Sequence, residues 1–211
     1  MAIIKHKDQR VAVFIDTQNL YHSAKNLYRA RVNFGNILKE SVAGRRLIRA
    51  MAYVVTTESG EERAFFDALT KMGIETKTKE LQIFYGGAKK ADWDVGMAVD
   101  AIKLSNRLDA VVLATGDGDF IPLVEYLKNH GVQVEVISFG KSSSSKLKEI
   151  ADEFIDMGEQ EKKFLLMPNR FLGAAPSVKI PDTEIPETGS HPEVESEDGP
   201  FVVGSDTDDD R

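Results

Sequence analysis

The segment DAVVLATGDGDFIPLVEYLKNHG, residues 109–131, joins three patterns that together decide the fold class. The continuous apolar run AVVLA is typical of a β-strand that is covered on both faces. TGDGD then supplies the glycines and short acids of a sharp turn. From Phe120 the pattern becomes helical, with Pro122 acceptable in the first turn and Gly131 as the stop. A buried strand that turns directly into a helix indicates an α/β protein.

The same alternation of strand and helix patterns recurs along most of the chain. Strands alternating with helices of about a dozen residues imply right-handed crossovers and a parallel sheet. We therefore predict a three-layer α/β/α sandwich with a mostly parallel central sheet. The further predicted strands are residues 11–15, 47–55, 74–79 and 132–139, and the further predicted helices are residues 17–30, 61–73, 92–108 and 145–154.

Composition divides the chain into a near-neutral folded part and an acidic tail. Residues 168–211 contain six of the seven prolines, with 11 Asp+Glu against 3 Lys+Arg, and this composition predicts disorder. The tail either keeps the protein in solution or contacts a protein partner. The other 167 residues carry 24 Lys+Arg and 23 Asp+Glu, so the net charge of −7 is no argument against a nucleic-acid partner. We expect an N-terminal extension at 1–9, a domain at 10–158 and a short terminal helix or linker at 159–167.

Composition also limits the chemistry. The chain has no cysteine, which excludes disulfides and thiolate catalysis and fits a cytoplasmic protein. No apolar run approaches 18 residues and the N-terminus lacks the apolar stretch of a secretion signal, so no membrane association is expected. The four histidines show no paired spacing, which argues against a ribonuclease that uses two imidazoles.

Four aspartates fall where a parallel sheet places its chemistry. Asp16 follows the first strand, Asp117 and Asp119 follow AVVLA, and Asp94 lies in the opening turn of a helix. Ligands bind beyond the carboxyl ends of such strands, so the acids converge if the first strand and AVVLA are neighbours. A hard cation, Mg²⁺ or Mn²⁺, would relieve their mutual repulsion. Such a site suits phosphoryl transfer and nuclease chemistry.

Each polar residue also has a plainer structural role open to it. Asp16 is a good N-cap for the helix that follows, and Asp94 is favoured by the helix dipole. Asp117 with Gly118 is also typical of an ordinary turn. Asn19, one helical turn after Asp16, either orients a metal ligand, a water or a substrate oxygen, or is a surface amide.

Five segments, taken in order, resemble the NYN domain of the PIN-like nuclease group, in its bacterial and archaeal LabA-like branch. Asp-x-x-Asn after the first strand, combined with Thr-Gly-Asp-x-Asp-Phe after a later one, is the specific part of the resemblance. It covers residues 10–158. The segments are VFIDTQNL (13–20), KKADWDVGMAVDA (89–101), VVLATGDGDFIPLV (111–124), GVQVEVISF (131–139) and ADEFIDM (151–157).

The resemblance implies a PIN-like fold and a ribonuclease site that depends on Mg²⁺ or Mn²⁺. Carried over by position, the acids Asp16, Asp94, Asp117 and Asp119 would hold the metal, with Asn19 as the companion of Asp16. Asp92 precedes Asp94 and competes for its role. Asp94 is favoured because Val95, Ala98 and Val99 then follow as the apolar face of the helix.

Substrate contacts would come from cations for RNA phosphates and from aromatic rings for unpaired bases. Lys89 and Lys90 are the first candidates because they lie near Asp94, and Thr115 with its neighbouring glycines allows close approach of the backbone. Further candidate cations are Lys25, Arg29, Arg31, Lys77 and Lys79, and the candidate stacking residues are Tyr21, Tyr85 and Trp93.

The predicted function is therefore metal-dependent hydrolysis of RNA, with single-stranded RNA as the partner. One alternative is a non-catalytic RNA- or protein-binding regulatory module on the same fold. A haloacid-dehalogenase-like phosphatase is disfavoured because its motif needs an acid where Gln18 stands. A scaffold acting through the acidic tail is a third reading. A homodimer through a sheet edge or helix face is compatible with the sequence, which does not distinguish endonuclease from exonuclease action.

Overall fold

A computed structural model of the chain describes residues 3–56, 63–80, 82–83, 89–90 and 93–167, with 82–83 and 89–90 described as backbone only. The strands are β1 (Arg10–Asp16), β2 (Arg31–Val32), β3 (Arg46–Thr56), β4 (Glu75–Glu80), β5 (Gln82–Ile83), β6 (Lys89–Lys90), β7 (Ala110–Ala114), β8 (Gln133–Ser138), β9 (Glu153–Asp156) and β10 (Leu165–Leu166). The helices are α1 (Thr17–Tyr28), α2 (Phe34–Val42), α3 (Arg63–Lys71), α4 (Asp94–Ser105), α5 (Ile121–Asn129), α6 (Ser145–Ile150) and α7 (Glu161–Phe164). Short 3₁₀ turns occupy Gly118–Phe120 and Met157–Gln160.

Six strands form the central sheet in the order β4-β3-β1-β7-β8-β9, and every neighbouring pair is parallel. The predicted parallel sheet is confirmed, and so is the condition that the first strand neighbours AVVLA, because Ile15 of β1 lies opposite Ala114 of β7. The chain builds the sheet outward in both directions from this pair. The strand order therefore reverses between β1 and β7, which is where open α/β sheets form their binding crevice.

Helices cover both faces of the sheet, as the three-layer prediction requires. Alternation along β1 divides the core, because Val11, Val13 and Ile15 face one layer while Ala12 and Phe14 face the other. The first layer contains the buried residues of α1, α2 and α3, and the second contains those of α4, α5 and α6. No helix among the described residues is long and apolar enough to cross a membrane.

A buried ion pair fastens the amino-terminal end of the sheet. The Arg45 guanidinium pairs with the Glu135 carboxylate of β8, and both side chains are fully buried. Lys5 Nζ adds a second cation 2.9 Å from Glu135 Oε2, and Gln133 Nε2 donates to Glu135 Oε1 at 2.7 Å. Burial alone would raise the pKa of Glu135, but the hydrogen bonds and charges of Arg45 and Lys5 outweigh it and hold the pKa below its usual range.

The predicted helix at 145–154 is wrong in its second half. α6 ends at Ile150, Ala151 is extended with ψ 147°, and the chain continues as edge strand β9 beside β8. Asp152 fixes this change because its Oδ2 accepts a hydrogen bond from Val134 N at 2.8 Å. A long-range contact thus overrides the local helical pattern.

The predicted apolar face of α4, formed by Val95, Ala98 and Val99, is wrong for the two valines, whereas Ala98 is partly buried against the core. The buried residues of this helix include Met97 and Ala101, whereas Val95 is 74% exposed and Val99 is 40% exposed. Trp93 helps to set the rotation of the helix. Its Nε1 donates to Val54 O at 3.1 Å, and its ring lies so close to Gly96 that a β-carbon there would be 2.6 Å from the ring.

Two parts of the chain had no strong pattern in the sequence. Helix α2 is capped by Asn33, whose Oδ1 accepts from Asn36 N at 3.1 Å. The segment after β9 packs back on the domain, since Met157 and Phe164 are fully buried and β10 pairs antiparallel with β2.

Replacing Arg45 by Met removes one partner of the buried pair and leaves the Glu135 carboxylate without its guanidinium. We expect Arg45→Met to lower the free energy of unfolding at pH 7 by about 3–5 kcal/mol. The loss should shrink towards pH 4, where Glu135 of the variant is protonated and no longer buries an ill-paired charge. Urea denaturation at both pH values measures the effect.

Arg49→Met is the matched control. Arg49 pairs with Glu75 on the surface, where the two side chains are 40% and 50% exposed. Solvent screening limits the expected loss to less than about 1 kcal/mol. Equal losses for the two variants would contradict a special role for the buried pair.

Candidate active site

The predicted acids lie at the carboxyl edge of the sheet, where the strand order reverses. β1 ends at Asp16 and leads directly into α1, while β7 ends at Ala114 and leads into the turn that carries Asp117 and Asp119. Asp94 begins α4, in the helical layer that also contains α5. Three separate connections therefore bring acidic side chains to one crevice.

Three of these carboxylates form a tight cluster. One oxygen each from Asp94, Asp117 and Asp119 lies within 4.8 Å of the others, with Asp94 and Asp117 partly buried and Asp119 exposed. Negative charges at such separations repel one another strongly in a partly buried site. The donor set consists of oxygen alone, which is the preference of hard cations such as Mg²⁺ and Mn²⁺.

Hydrogen bonds within the turn after β7 aim Asp117 and Asp119. Asp117 Oδ1 accepts from Asp119 N at 2.9 Å and so caps the 3₁₀ turn. Thr115 Oγ1 in turn accepts from Asp117 N at 3.2 Å. The turn is thereby fixed by its own polar side chains as well as by its glycines.

The serine loop, residues 141–144 after β8, presses on this turn from the other side. Ser144 N donates to Gly116 O at 2.9 Å. A β-carbon at Gly116 would lie 2.6 Å from Ser143 Oγ, so a larger residue there would displace the serine side chain. The serine loop therefore acts as a clamp on the acidic turn.

Asp16 takes the helix-capping role that the sequence left open. Its Oδ1 accepts from Asn19 N at 3.1 Å and its Oδ2 accepts from Thr115 Oγ1 at 3.2 Å. Among the described residues, the carboxylates grouped within 4.8 Å of one another do not include that of Asp16. The Asp16 carboxylate still interacts electrostatically with Asp117 of the cluster. Burial raises the pKa of Asp16 to about 6, the charge of Asp117 adds to the rise, and the hydrogen bonds from Asn19 and Thr115 oppose it.

Asn19 joins α1 to the turn after β7. Its side-chain Oδ1 accepts from Gly116 N at 2.9 Å, while its backbone N donates to Asp16. Thr115 completes the link, because it is fully buried between Asp16 and Asp117. Both residues therefore position the acids by hydrogen bonds.

The candidate substrate contacts are not brought together in the same way. Lys77 Nζ lies 2.5 Å from Asp100 Oδ2, which also accepts from Tyr53 Oη at 2.8 Å. Trp93 is used for packing, since its ring meets Tyr53 edge-on at 5.4 Å. Lys25 Nζ lies 5.7 Å from the centre of the Tyr21 ring.

Several candidates cannot be assigned a side-chain position. Lys89 and Lys90 form β6, which pairs antiparallel with β5 apart from the central sheet. Their side chains, together with Tyr85 and Asp92, lie outside the described residues. The cationic contacts of the site consequently remain predictions.

One feature of the site is absent from the sequence prediction. An open apolar groove between α4 and α5 reaches the acids at Asp94 and Asp119. The available signal was that α4 carries apolar residues on more than one side, at Val95 and Ile102 as well as at Met97 and Ala101. A helix that is apolar beyond its core-facing stripe has a second surface to cover.

The raised pKa of Asp16 predicts a stability effect that is independent of activity. Its folded pKa of about 6 exceeds the ordinary aspartate value of 3.8, so the folded state binds more protons and the ionised carboxylate destabilises it. Asp16→Asn keeps an oxygen for the cap. In metal-free buffer we expect this variant to be more stable than the wild type by about 1–3 kcal/mol at pH 7.5. The advantage should fall as the pH decreases through 6 and vanish below about pH 4, as measured by urea denaturation.

Asp109→Asn is the control of opposite sign. Hydrogen bonds from the Arg10 side chain and backbone lower the pKa of Asp109 to about 2, so its ionised form stabilises the fold. This variant should lose stability at pH 7.5. A stabilising Asp109→Asn, or an Asp16→Asn variant with no pH-dependent gain, would contradict the electrostatic account.

Comparison with known proteins agrees with the fold. The chain is 26% identical over 164 residues to the low amplitude and bright protein LabA of Synechococcus elongatus, an alignment that covers 72% of this chain and 86% of LabA. It is 28% identical over 177 residues to an uncharacterised protein of Methanocaldococcus jannaschii, with coverage of 78% of this chain and 64% of the archaeal protein.

A solved structure and a family model add to this similarity. A protein of unknown function from Vibrio parahaemolyticus superposes with a TM-score of 0.70 at 28% identity, over 78% of this chain and 100% of that one. The NYN domain model matches residues 10–158. The chain therefore belongs to the NYN domain family, a PIN-like nuclease family, and its similarity to LabA indicates the LabA-like branch of that family.

Proposed function

We propose that this protein is a metal-dependent ribonuclease that hydrolyses phosphodiester bonds of single-stranded RNA at the carboxylate cluster. One observation carries the proposal. In a chain with the NYN fold, oxygens of Asp94, Asp117 and Asp119 converge within 4.8 Å at the reversal of strand order. That is the position where such sheets bind their ligands.

The residues of the cluster fit Mg²⁺ or Mn²⁺. They offer carboxylate oxygens only, and their convergence has an electrostatic cost that a divalent cation offsets. A cation held there would attract the phosphate and lower the pKa of a water. In the proposed site Asp94, Asp117 and Asp119 bind the metal, and the family resemblance adds Asp16 as the fourth acid.

Two polar residues beside the cluster, Asn19 and Thr115, orient these acids. Asn19 holds Gly116 N, and Thr115 bridges the Asp16 carboxylate and the Asp117 amide. Because Thr115 is fully buried, we assign it a positioning role and not a direct contact with RNA. We propose Lys89 and Lys90 as phosphate contacts, on their proximity in sequence to Asp94.

Substitutions of the clustered acids test the proposal directly. Asp94→Asn and Asp117→Asn each remove a charge that the metal needs, so we expect cleavage of single-stranded RNA in Mg²⁺ or Mn²⁺ to fall by about 100-fold or more. Cleavage of a labelled oligoribonucleotide measures the rate, and calorimetric titration with Mn²⁺ measures the affinity for the cation.

Asp100→Asn is the matched control, because it makes the same change on the same helix as Asp94. Asp100 is already paired with Lys77 and Tyr53, so its loss should leave cleavage near the wild-type rate. Equal cleavage by wild type and Asp117→Asn would indicate a contaminating nuclease. RNA binding without cleavage or Mn²⁺ binding would favour the regulatory module, and turnover of a phosphomonoester instead of RNA would favour a phosphatase.

Asn19 is predicted to act only through the turn that it holds. Asn19→Ala leaves the Gly116 amide without its acceptor, and a small displacement of reacting groups is costly. We expect kcat to fall about 10- to 100-fold while Mn²⁺ still binds. Asn19→Asp restores an acceptor oxygen and should recover part of the rate. Full activity of Asn19→Ala would contradict the positioning role.

A further inference from the structure

The apolar groove between α4 and α5 runs directly into the carboxylate cluster. Asp94 lies on its α4 side and Asp119 lies on its α5 side. Between and beyond these acids its walls are apolar. They include Val95, Ala98 and Ile102 from α4 and Ile121, Pro122 and Tyr126 from α5.

Several of these apolar side chains stay exposed to water, although Ala98 and Ile121 also pack against the core. Val95 is 74% exposed, and Ile102 and Tyr126 are each 39% exposed. The same helices bury other residues against the sheet, among them Met97 and Leu127. A contiguous apolar surface that is left open to water marks a binding site more often than other parts of a protein surface do.

Tyr126 gives the groove a prepared aromatic surface. Its ring stacks on that of His130, with ring centres 4.0 Å apart and an interplanar angle of 27°. His130 Nδ1 lies 2.7 Å from Tyr126 O, so the stacking partner is tied back to the same helix. An aromatic ring that is held in place loses little entropy when a base stacks beside it.

The charges on the groove select among possible occupants. Among the residues that the structure describes, its lining has two acids, Asp94 and Asp119, and no Lys or Arg. A second copy of the chain docked by two-fold symmetry would bring two acidic clusters towards each other. A nucleobase is flat and neutral, and the phosphate attached to it is what a metal-loaded cluster attracts. Ile121 and Tyr126 are about 7.5 Å apart along α5, close to two base-stacking steps of about 3.4 Å each.

We propose that this groove is a base-binding subsite, in which unpaired bases of single-stranded RNA next to the cleaved phosphate stack towards Tyr126. The inference rests on the proposed ribonuclease function and extends it to the part of the site that holds the bases of the substrate. Stacking requires bases that are free of a duplex, so the groove selects single-stranded over double-stranded RNA. It tolerates sequence differences because every base has a π-face.

The test compares binding and cleavage of a labelled hexaribonucleotide with those of an abasic ribose-phosphate strand of equal length. Tyr126→Ala should raise KM for the hexaribonucleotide about 5- to 100-fold with little change in kcat. The affinity of Tyr126→Ala for the hexaribonucleotide, measured by fluorescence anisotropy in buffer with Ca²⁺ in place of Mg²⁺ or Mn²⁺, should fall by a similar factor. Wild type should bind the abasic strand as weakly as Tyr126→Ala binds the hexaribonucleotide, and Tyr126→Ala should barely distinguish the two strands.

Tyr126→Phe keeps the ring and should stay near wild type. Leu27→Ala, on α1, alters a residue of similar exposure (41%) outside the groove and should leave KM unchanged. Thermal melts confirm that each variant is folded.

The outcomes separate this inference from the function on which it rests. If wild type neither binds nor cleaves RNA, the proposed function fails and the subsite fails with it. If wild type cleaves RNA but Tyr126→Ala keeps the same KM and affinity, the subsite is overturned and the nuclease stands. If wild type sediments as a dimer that Tyr126→Ala converts to a monomer, the groove is an interface between copies and the proposal is overturned.

Discussion

The parallel pairing of β1 with β7 is the constraint on which the site depends. It sets Ile15 beside Ala114, so the start of α1 and the turn after β7 emerge at the same edge with their polar groups facing each other. Those polar groups need hydrogen-bond partners because they are removed from water when the chain folds. Asn19 accepts from Gly116 N, and Thr115 donates to Asp16. The hydrogen bonds that close the two strand ends are therefore the same bonds that aim the acids.

Two carboxylates show how differently the two ends of the sheet treat charge. At the amino-terminal end Glu135 lies between Arg45 and Lys5, and its pKa is lowered. At the carboxyl end Asp16 lies among hydrogen-bond donors with Asp117 nearby, and its pKa is raised to about 6. The charge of Glu135 is balanced by cations of the same chain, so this arrangement is structural. The second concentrates negative charge at a net cost to the fold, and such costs gather where a protein binds or reacts.

The sequence was sufficient for whatever depends on local pattern and chain direction, whereas the pairing of β1 with β7 entered the prediction only as a condition. Continuous apolar runs predicted the parallel sheet, and the position of an acid directly after a strand predicted the edge to which it points. Sequence reasoning failed where a distant contact decides. Asp152 binds Val134 N and turns a helical pattern into β9, and Glu135 in a buried strand reveals nothing of Arg45, 90 residues away. Asp16 as a cap and Asp16 as a member of an acidic site were both open, because a single carboxylate can meet both requirements.

The rotation of α4 connects the acid to the groove. A helix turns by about 100° per residue, so with Asp94 at 0° the buried Met97 and Ala101 lie near 300° and 340°. The groove residues Ala98, Ile102 and Val95 lie at about 40°, 80° and 100° on the other side. Asp94 thus stands at the boundary between the core-facing arc and the exposed arc. Turning the helix to bury Val95 would move Asp94 away from Asp117 and Asp119. The rotation that points Asp94 at the cluster therefore also exposes the apolar residues that form the groove wall.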